Sequence, residues 1–391
     1  MENVFVVEAL RTPFGSLGGA LSEIEAPRLG ETVIRALVER TGLDPQAVDE
    51  VIIGQVLSGG AAQAPARQAM RYAGLSDSVH AMTINKVCGS GLKAIMLAAG
   101  SIALGDADVV IAGGMESMSL APFILKKARY GYRLGHGELL DLMVYDGLQD
   151  PYSGRHMGEI ADAAAARHNI SRQEQDDYAI RSYTLAQKAV KEGIFRDEIV
   201  PVIKKSKKGD ETVADDEEPF KVDFEKLKML RPVFTKDGTI TAGNASTIND
   251  GAALSLLASE TGLNKHSLTA RARLVAYATH SLPPDMFPDA PVGAIEKVCA
   301  RAGLKLSDID LFEINEAFSA VALIAIRQLG LDLERVNVNG GAVAIGHPIG
   351  ASGGRLTATV IREMHRRQVR YGLATLCIGG GEAVAAIFER V

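Results

Sequence analysis

Three side chains in this 391-residue sequence, Cys88, His347 and Cys377, combine a reactive type with a glycine-rich setting that would leave them accessible. Cys88 lies in TINKVCGSGLKAI, where a β-prone stretch meets Gly89, Ser90 and Gly91 before a helical pattern begins. A thiol at such a strand-to-helix turn faces free backbone N–H groups and the positive end of a helix, which favour a thiolate, and the glycines let a substrate approach the backbone. Lone cysteines are more often small buried hydrophobes, but the glycine turn argues against that here. His347 sits in NVNGGAVAIGHPIGASGGR, within reach of Gly340, Gly341, Gly346, Gly350, Gly353 and Gly354. Ordering that many glycines is entropically costly, so the backbone is expected to lie against a ligand or another segment. Beside a cysteine, a histidine can take its proton or hold the thiolate as an ion pair. Cys377 ends the apolar run LATLC and precedes Ile378, Gly379, Gly380 and Gly381, a second thiol at a strand end. Asn315 follows the strand-like run DIDLFEI, where an amide can orient a water or donate to an oxyanion. Cys299, at helical spacing with Ile295 and Val298, reads as core.

Two other patterns fail on context. Gly89, Gly91 and Ala94 match a dinucleotide fingerprint, but the acidic residue at the right distance, Asp108, precedes its strand instead of ending it. Gly350, Ser352 and Gly354 match a serine nucleophile elbow, yet the only acid and histidine that follow closely, Glu363 and His365, are two residues apart on one expected helix.

The elements that must position these groups are those of an α/β protein. VFVV (residues 4–7), VDEVIIGQV (48–56) and ADVVIAGG (107–114) read as buried strands, and 91–104 as a helix. GLDPQAVDEVIIG aligns without gaps with GLKLSDIDLFEIN, 261 positions later, and Ile111, Gly113, Gly114 and Glu116 align with Cys377, Gly379, Gly380 and Glu382, 266 positions later. Duplicated halves are therefore expected, with the site between them. Residues 1–118 with 244–268 would form the first half and 269–391 the second, around an insertion, 119–243. Within the insertion Ser171 and Glu174 form a capping-box signature. The run from Lys204, Lys205, Lys207 and Lys208 to Asp210, Glu211, Asp215, Asp216, Glu217 and Glu218 reads as a solvated face.

Composition narrows the function classes. Apolar residues make up 47% and charged residues 23%, the balance of a globular chain. A net charge of −6 gives no phosphate-backbone footprint, so nucleic acid is not expected as a partner. Three cysteines in so long a chain point to a reducing compartment. MENVFVVEALRTP carries no export or organelle signal. No apolar run is expected to reach the roughly 18 residues of a membrane span, so cytoplasmic residence without a membrane partner is the expectation.

RTPFGSLGGALS, NKVCGSGLKAI, AGGMESMS, RHMG, ISRQEQDDYAIRS, LRPVF, TAGNAS, NEAF, GGAVAIGHPIGASG and CIGGG occur in this order along the chain, and together they resemble the thiolase family. NEAF and NKVCGSG are most similar to its acetyl-CoA C-acetyltransferase (acetoacetyl-CoA thiolase) branch. The resemblance implies a five-layer α/β/α/β/α arrangement of duplicated halves with the insertion as a loop domain over the coenzyme A site. It implies reversible Claisen condensation of two acetyl-CoA into acetoacetyl-CoA and CoA, or, as the alternative, thiolysis of longer 3-ketoacyl-CoA in β-oxidation. Cys88 would carry the acyl group, His347 would take its proton, and Cys377 would exchange the α-proton of the second thioester. His347 with a water held by Asn315 would form one oxyanion hole, and the N–H groups of Cys88 and Gly379 the other. Ser246 would meet the pantetheine, His156 and Met157 the nucleotide and acyl regions, and Phe234, Ala317 and Phe318 the tunnel. The resemblance further implies a homotetramer in fatty acid metabolism, CoA thioesters as substrates, and neither a permanently bound cofactor nor a metal. Three segments depart from the family pattern; in one, Ala383 follows Glu382 where a further glycine is usual. The expected Met-Gly-x-Gly-Pro reads Met286-Phe287-Pro288-Asp289-Ala290, and Phe220 and Lys221 stand where an adenine-contacting arginine is expected.

Overall fold

The computed structural model describes residues 2–205 and 209–391, so Lys207 and Lys208 of the charged run lie outside the described residues. The first half runs β1 (Val4–Arg11), α1 (Ala26–Thr41), β2 (Glu50–Gly54), α2 (Pro65–Tyr72), β3 (His80–Ile84), α3 (Ser90–Leu104) and β4 (Val109–Ser117). The insertion follows, with α4 (Met157–Arg167) and α5 (Arg172–Lys191), and β5 (Asn249–Ser259) closes the half. The second half runs β6 (Ala272–Ser281), α6 (Ala290–Ala302), β7 (Leu311–Ile314), α7 (Ser319–Leu329), α8 (Ser352–Arg367), β8 (Tyr371–Ile378) and β9 (Glu382–Arg390).

The strands are hydrogen-bonded in the order β7-β8-β9-β6-β1-β5-β4-β2-β3, so each half contributes a mixed sheet and the sheets join where β1 meets β6. β2 runs parallel to β3 and β4, as β7 does to β8, and the remaining pairs are antiparallel. A parallel bridge from Phe312 to Val336 stands in the second half where β3 stands in the first.

Three apolar cores separate five layers. One lies outside the first sheet under α1 and α2, one between the sheets around α3 and α8, and one outside the second sheet under α6. The order is α/β/α/β/α, as the resemblance implies. The middle layer explains why α3 is apolar on nearly every side: it packs against sheet on both faces, which an ordinary amphipathic helix could not do. One expectation needs correction here. Residues Val87–Leu104 do reach the length and hydropathy of a membrane span, with a mean hydropathy of 1.6, because a helix buried between two sheets and one buried in lipid face the same demand.

The duplication is written in matching pins. Gly42 and Gly303 end α1 and α6 in the left-handed region, each at φ 67°. The Asp49 carboxylate accepts the N–H groups of Asp108 and Val109 at the start of β4, and Asp310 accepts those of Arg370 and Tyr371 at the start of β8. These pins also correct the second repeat match. In the sheets Ile53 pairs with Gly113 and its counterpart Ile314 with Thr375, so Cys377 stands where Met115 stands, and Gly379 is not the counterpart of Gly113. A short glycine match carries little information, whereas ladder register is fixed by a row of hydrogen bonds.

The insertion folds back over both halves. Ser171 and Glu174 form the expected capping box at the start of α5. The charged run is not a uniformly solvated face. Asp216 is buried and binds Arg11 through both oxygens, at 2.6 and 2.9 Å, while Glu198 takes the same guanidinium at 2.6 Å. A fully buried arginine needs paired carboxylates, and the insertion supplies them.

Candidate active site

At the turn into α3, the Asn85 side chain accepts the Val87 N–H at 2.9 Å, and the Ser90 hydroxyl accepts the Lys86 N–H at 2.8 Å and donates to the Val87 carbonyl at 2.7 Å. Between these bonds Val87 is forced to φ 46°, a conformation that a β-branched residue adopts only when its surroundings impose it. The kink directs the Cys88 thiol away from the helix and into a cavity of about 200 Å³.

His347 and Cys377 line the same cavity, so three residues from separate segments meet there. His347 is held by its backbone N–H, which donates to Asn249 Oδ1 at 3.0 Å, and by its ring, with Nδ1 2.5 Å from Ser352 Oγ. Ser352 Oγ has one proton, and it lies 2.9 Å from the Pro348 carbonyl, a pure acceptor. The serine therefore donates to Pro348 and accepts from Nδ1–H, which leaves the lone pair of His347 on Nε2. Asn315 Nδ2 approaches that nitrogen at 3.4 Å. Asn315 itself is fully buried and is not on the cavity wall.

Close packing of backbone explains the glycines. A Cβ on Gly91 would lie 2.9 Å from the Gly354 nitrogen, and one on Gly353 would lie 2.2 Å from the Leu92 nitrogen. The starts of α3 and α8, which bring Cys88 and His347 into place, thus touch backbone to backbone. The Gly350 N–H donates to Glu116 at 2.9 Å, and the same carboxylate accepts from Val56 and Leu57.

At the end of β8 the Gly379 N–H reaches the Cys88 sulfur, as does the N–H of Cys88 itself. Two donors thus converge where a negative oxygen would form on an acyl group carried by Cys88. They do not make a resting thiolate. Burial pushes the Cys88 thiol up to about 11 despite both N–H groups, which corrects the expectation of a helix-stabilised thiolate. Burial, and then the Arg355 charge, lower His347 to about 3. Cys377 lies well above the usual thiol range, first through burial and then through the nearby Cys88. All three groups are neutral at rest.

The insertion supplies the opposite wall. His156 caps α4, accepting the Gly158 N–H on Nδ1 at 3.1 Å, so its Nε2 carries the proton. Its ring stacks on Phe234 at 4.7 Å, and Phe234 meets Phe318 edge-on at 6.1 Å. The Phe234 loop is tied to α4 by Asp162, which accepts from Thr235, Thr239 and Ile240. Ser246 donates its hydroxyl to the Ala317 carbonyl at 2.9 Å, leaving its lone pairs available. Met157, Ala317, Phe318 and Gly379 line the same cavity. An outer cavity shares Phe234, Ala245 and Ser246 with the inner one and leads to the surface. Among the described residues no three His, Cys, Asp or Glu side chains converge as metal ligands.

Sequence reasoning missed Ser352, set aside as a failed nucleophile elbow, and Glu116, noted only within the repeat. Both stand in the segments that pointed to the site, but their partners are fixed by loop geometry that spacing does not encode. Cys299 packs in the outer core under α6, as expected. Phe220 is exposed, and Lys221 is taken up by Ser16, Glu217 and Glu218.

Comparison with known proteins points to one family. Residues 4–261 match the family model described as thiolase, N-terminal domain, and residues 268–390 the one described as thiolase, C-terminal domain. The chain is 52% identical over 389 residues to an acetyl-CoA acetyltransferase of Chromobacterium violaceum, covering 99% of each, and 50% identical over 392 residues to one of Pseudomonas aeruginosa, covering 100% of each. A probable acetyl-CoA acyltransferase of Staphylococcus aureus is 47% identical over 392 residues, again covering 100% of each. The crystal structure of the Bacillus anthracis acetyl-CoA acetyltransferase superposes with a TM-score of 0.98 at 43% identity, covering 100% of this chain and 99% of that one.

Proposed function

This chain belongs to the thiolase family, and from that premise we propose that it catalyses the reversible Claisen condensation of two acetyl-CoA to acetoacetyl-CoA and CoA through an acetyl-Cys88 intermediate. It is an acyltransferase, as its full-length relatives at about half identity are named. The observation that carries the mechanism is the meeting of Cys88, His347 and Cys377 on one cavity with two N–H donors aimed at the Cys88 sulfur.

His347 Nε2 takes the Cys88 proton as sulfur attacks the first thioester. The N–H groups of Cys88 and Gly379 stabilise the tetrahedral oxyanion. The CoA thiolate leaves and is protonated by the imidazolium. Because burial keeps His347 neutral, it returns that proton readily, and the site is again uncharged.

Cys377 then passes its proton to His347 Nε2 and, as a thiolate, removes the α-proton of the second acetyl-CoA. Its raised pKa makes that thiolate a stronger base than an ordinary cysteine. The protonated Nε2 of His347, with a water held by Asn315, would stabilise the enolate oxygen. The enolate carbon attacks the acetyl group, the new C–C bond forms, and the Cys88 sulfur departs and is reprotonated by the His347 imidazolium. Ser246, His156, Met157 and the aromatic residues Phe234 and Phe318, with Ala317, would hold the pantetheine arm.

The same proposal takes in a homotetramer, in a reducing cytoplasm and in fatty acid metabolism. It is supported by three unpaired thiols and by an arm of the insertion that exposes Phe123, Leu125, Tyr130 and Leu134. Sedimentation would give the assembly mass.

Radiolabelled acetyl-CoA tests the chemistry. Label should bind covalently to the native protein and to Cys377→Ala, but not to Cys88→Ala, and only the native protein should form acetoacetyl-CoA. Label persisting on Cys88→Ala would refute the assignment.

A further inference from the structure

We propose that the ion pair between Lys86 and Glu382 is a clasp across the two halves, and that these side chains act as positioning residues which keep the Gly379 N–H aimed at the acyl group on Cys88. This rests on the acyl-transfer reading above and concerns how its two oxyanion donors, one from each half, are held together.

The donor from the second half has no side chain to fix it. Gly379, Gly380 and Gly381 form the whole turn between β8 and β9, across which Ile378 pairs with Glu382. Gly380 and Gly381 lie at φ 94° and 88°, in the left-handed region. A turn of three glycines has the widest choice of backbone conformations, so the direction of the Gly379 N–H depends on what holds the turn from outside. Within the second half, the Leu282 N–H donates to the Gly381 carbonyl at 2.7 Å. The two flanking residues reach across to the half that carries Cys88. Ile378, before the turn, packs so closely that a Cβ on Gly89 would lie 2.4 Å from its Cδ1. Glu382, after the turn, binds Lys86 Nζ through Oε2. Gly89 follows Cys88 directly and Lys86 precedes it by two positions, so these contacts bracket the nucleophile as they bracket the turn.

The pair is poorly placed to serve stability. Its side chains are 25% and 31% exposed, and an ion pair so open to water contributes little to folding. Both partners are instead tied to the backbone around the site. The Lys86 N–H donates to Ser90 Oγ at 2.8 Å, and the Lys86 carbonyl accepts from the Gly89 N–H at 3.0 Å. Glu382 Oε1 accepts from Ser281 Oγ at 3.3 Å. A displacement of one loop is thereby passed to the other. Lys93, in the first turn of α3, also feels the Glu382 charge, so it is the cation that could replace Lys86; Glu382→Gln removes the partner of both.

The test is the rate at which radiolabelled acetyl-CoA acetylates Cys88 in the full-length native protein, K86Q, E382Q and the double variant, followed by rapid quench. Alkylation by iodoacetamide is measured beside it, because that reaction forms no oxyanion and reports the thiol alone. Removing an oxyanion donor costs about a hundredfold or more, and displacing one costs less, so each single variant, E382Q above all, should acetylate about tenfold slower. The double variant should be no slower than E382Q, since the same contact is lost in both. Alkylation should change far less than acetylation. A purely electrostatic effect on the thiol would move K86Q and E382Q in opposite directions, and a general disruption of the site would move alkylation as much as acetylation. Either pattern, acetylation at the native rate, or losses that add in the double variant, overturns the proposal. Should a single variant fail to fold, the double variant, which leaves neither charge unpaired, carries the comparison. A native protein that is never acetylated would instead overturn the functional reading on which it rests.

Discussion

The His347 imidazole and the Ser352 hydroxyl form a buried pair at 2.5 Å, and the serine donates its own hydrogen bond to the Pro348 carbonyl at 2.9 Å. The serine thereby selects the tautomer that leaves Nε2 free as a base. Ser352→Ala should lower kcat by roughly 10- to 100-fold, the usual effect of losing a residue that orients a catalytic group, with little change in KM. Steady-state kinetics check this, and a rise in KM at unchanged kcat would contradict it.

Because burial lifts the Cys88 thiol to about 11, its thiolate fraction should grow tenfold per pH unit across the neutral range. Inactivation by iodoacetamide between pH 6 and 9 should therefore rise with unit slope and reach no plateau. A plateau near neutrality would mean a stable thiolate paired with a histidine cation, contrary to the neutral site described.

His347 makes stability depend on acidity. The native ring stays neutral down to about 3 whereas an unfolded histidine protonates from 6.5, so the unfolded state gains protons first and stability falls as pH drops below 6.5. Between pH 7 and 5 this amounts to about 2 kcal/mol. At fixed protein concentration, urea unfolding should show His347→Asn losing about 2 kcal/mol less than the native protein over that interval. Equal losses would place the native histidine near its ordinary range.

Gly114→Ala should be among the most damaging of the small substitutions. Its Cβ would lie 1.8 Å from the Gly350 carbonyl oxygen, a backbone atom of the loop that carries His347. We expect a loss of about 3 kcal/mol in urea unfolding, at the upper end of overpacking costs, together with a fall in kcat as the loop shifts. Gly100→Ala on α3, where only the Tyr277 hydroxyl comes near, at 3.8 Å, should instead be neutral or stabilising by up to about 1 kcal/mol.

How much of this was legible depended on range. Cys88, His347 and Cys377 could be picked out because the glycines that admit them are their chain neighbours. The five-layer arrangement came from resemblance; periodicity revealed the α/β class, and the alignment of the two ends of the chain revealed the duplication. Asp216 was read as solvated because its partner, Arg11, is 205 positions away. The match between Gly113 and Gly379 misled because resemblance in a glycine turn says nothing about ladder register, which the Asp49 and Asp310 pins settle. Ser352 was examined for the wrong chemistry: its neighbours suggested a nucleophile, while its actual partner is reached only once the loop at 347–351 has folded.

The two matched aspartate pins have a consequence for how this site is inherited. They place α3 and α8 at matching points of the two halves, the first starting at Ser90 just after Cys88 and the second at Ser352 just after the loop of His347. One half supplies the nucleophile Cys88 and the other supplies His347 and Cys377, so neither half alone encodes a working centre. Selection must therefore act on the fused chain as a single unit, and a change tolerated in one half is judged by what its diverged twin still provides.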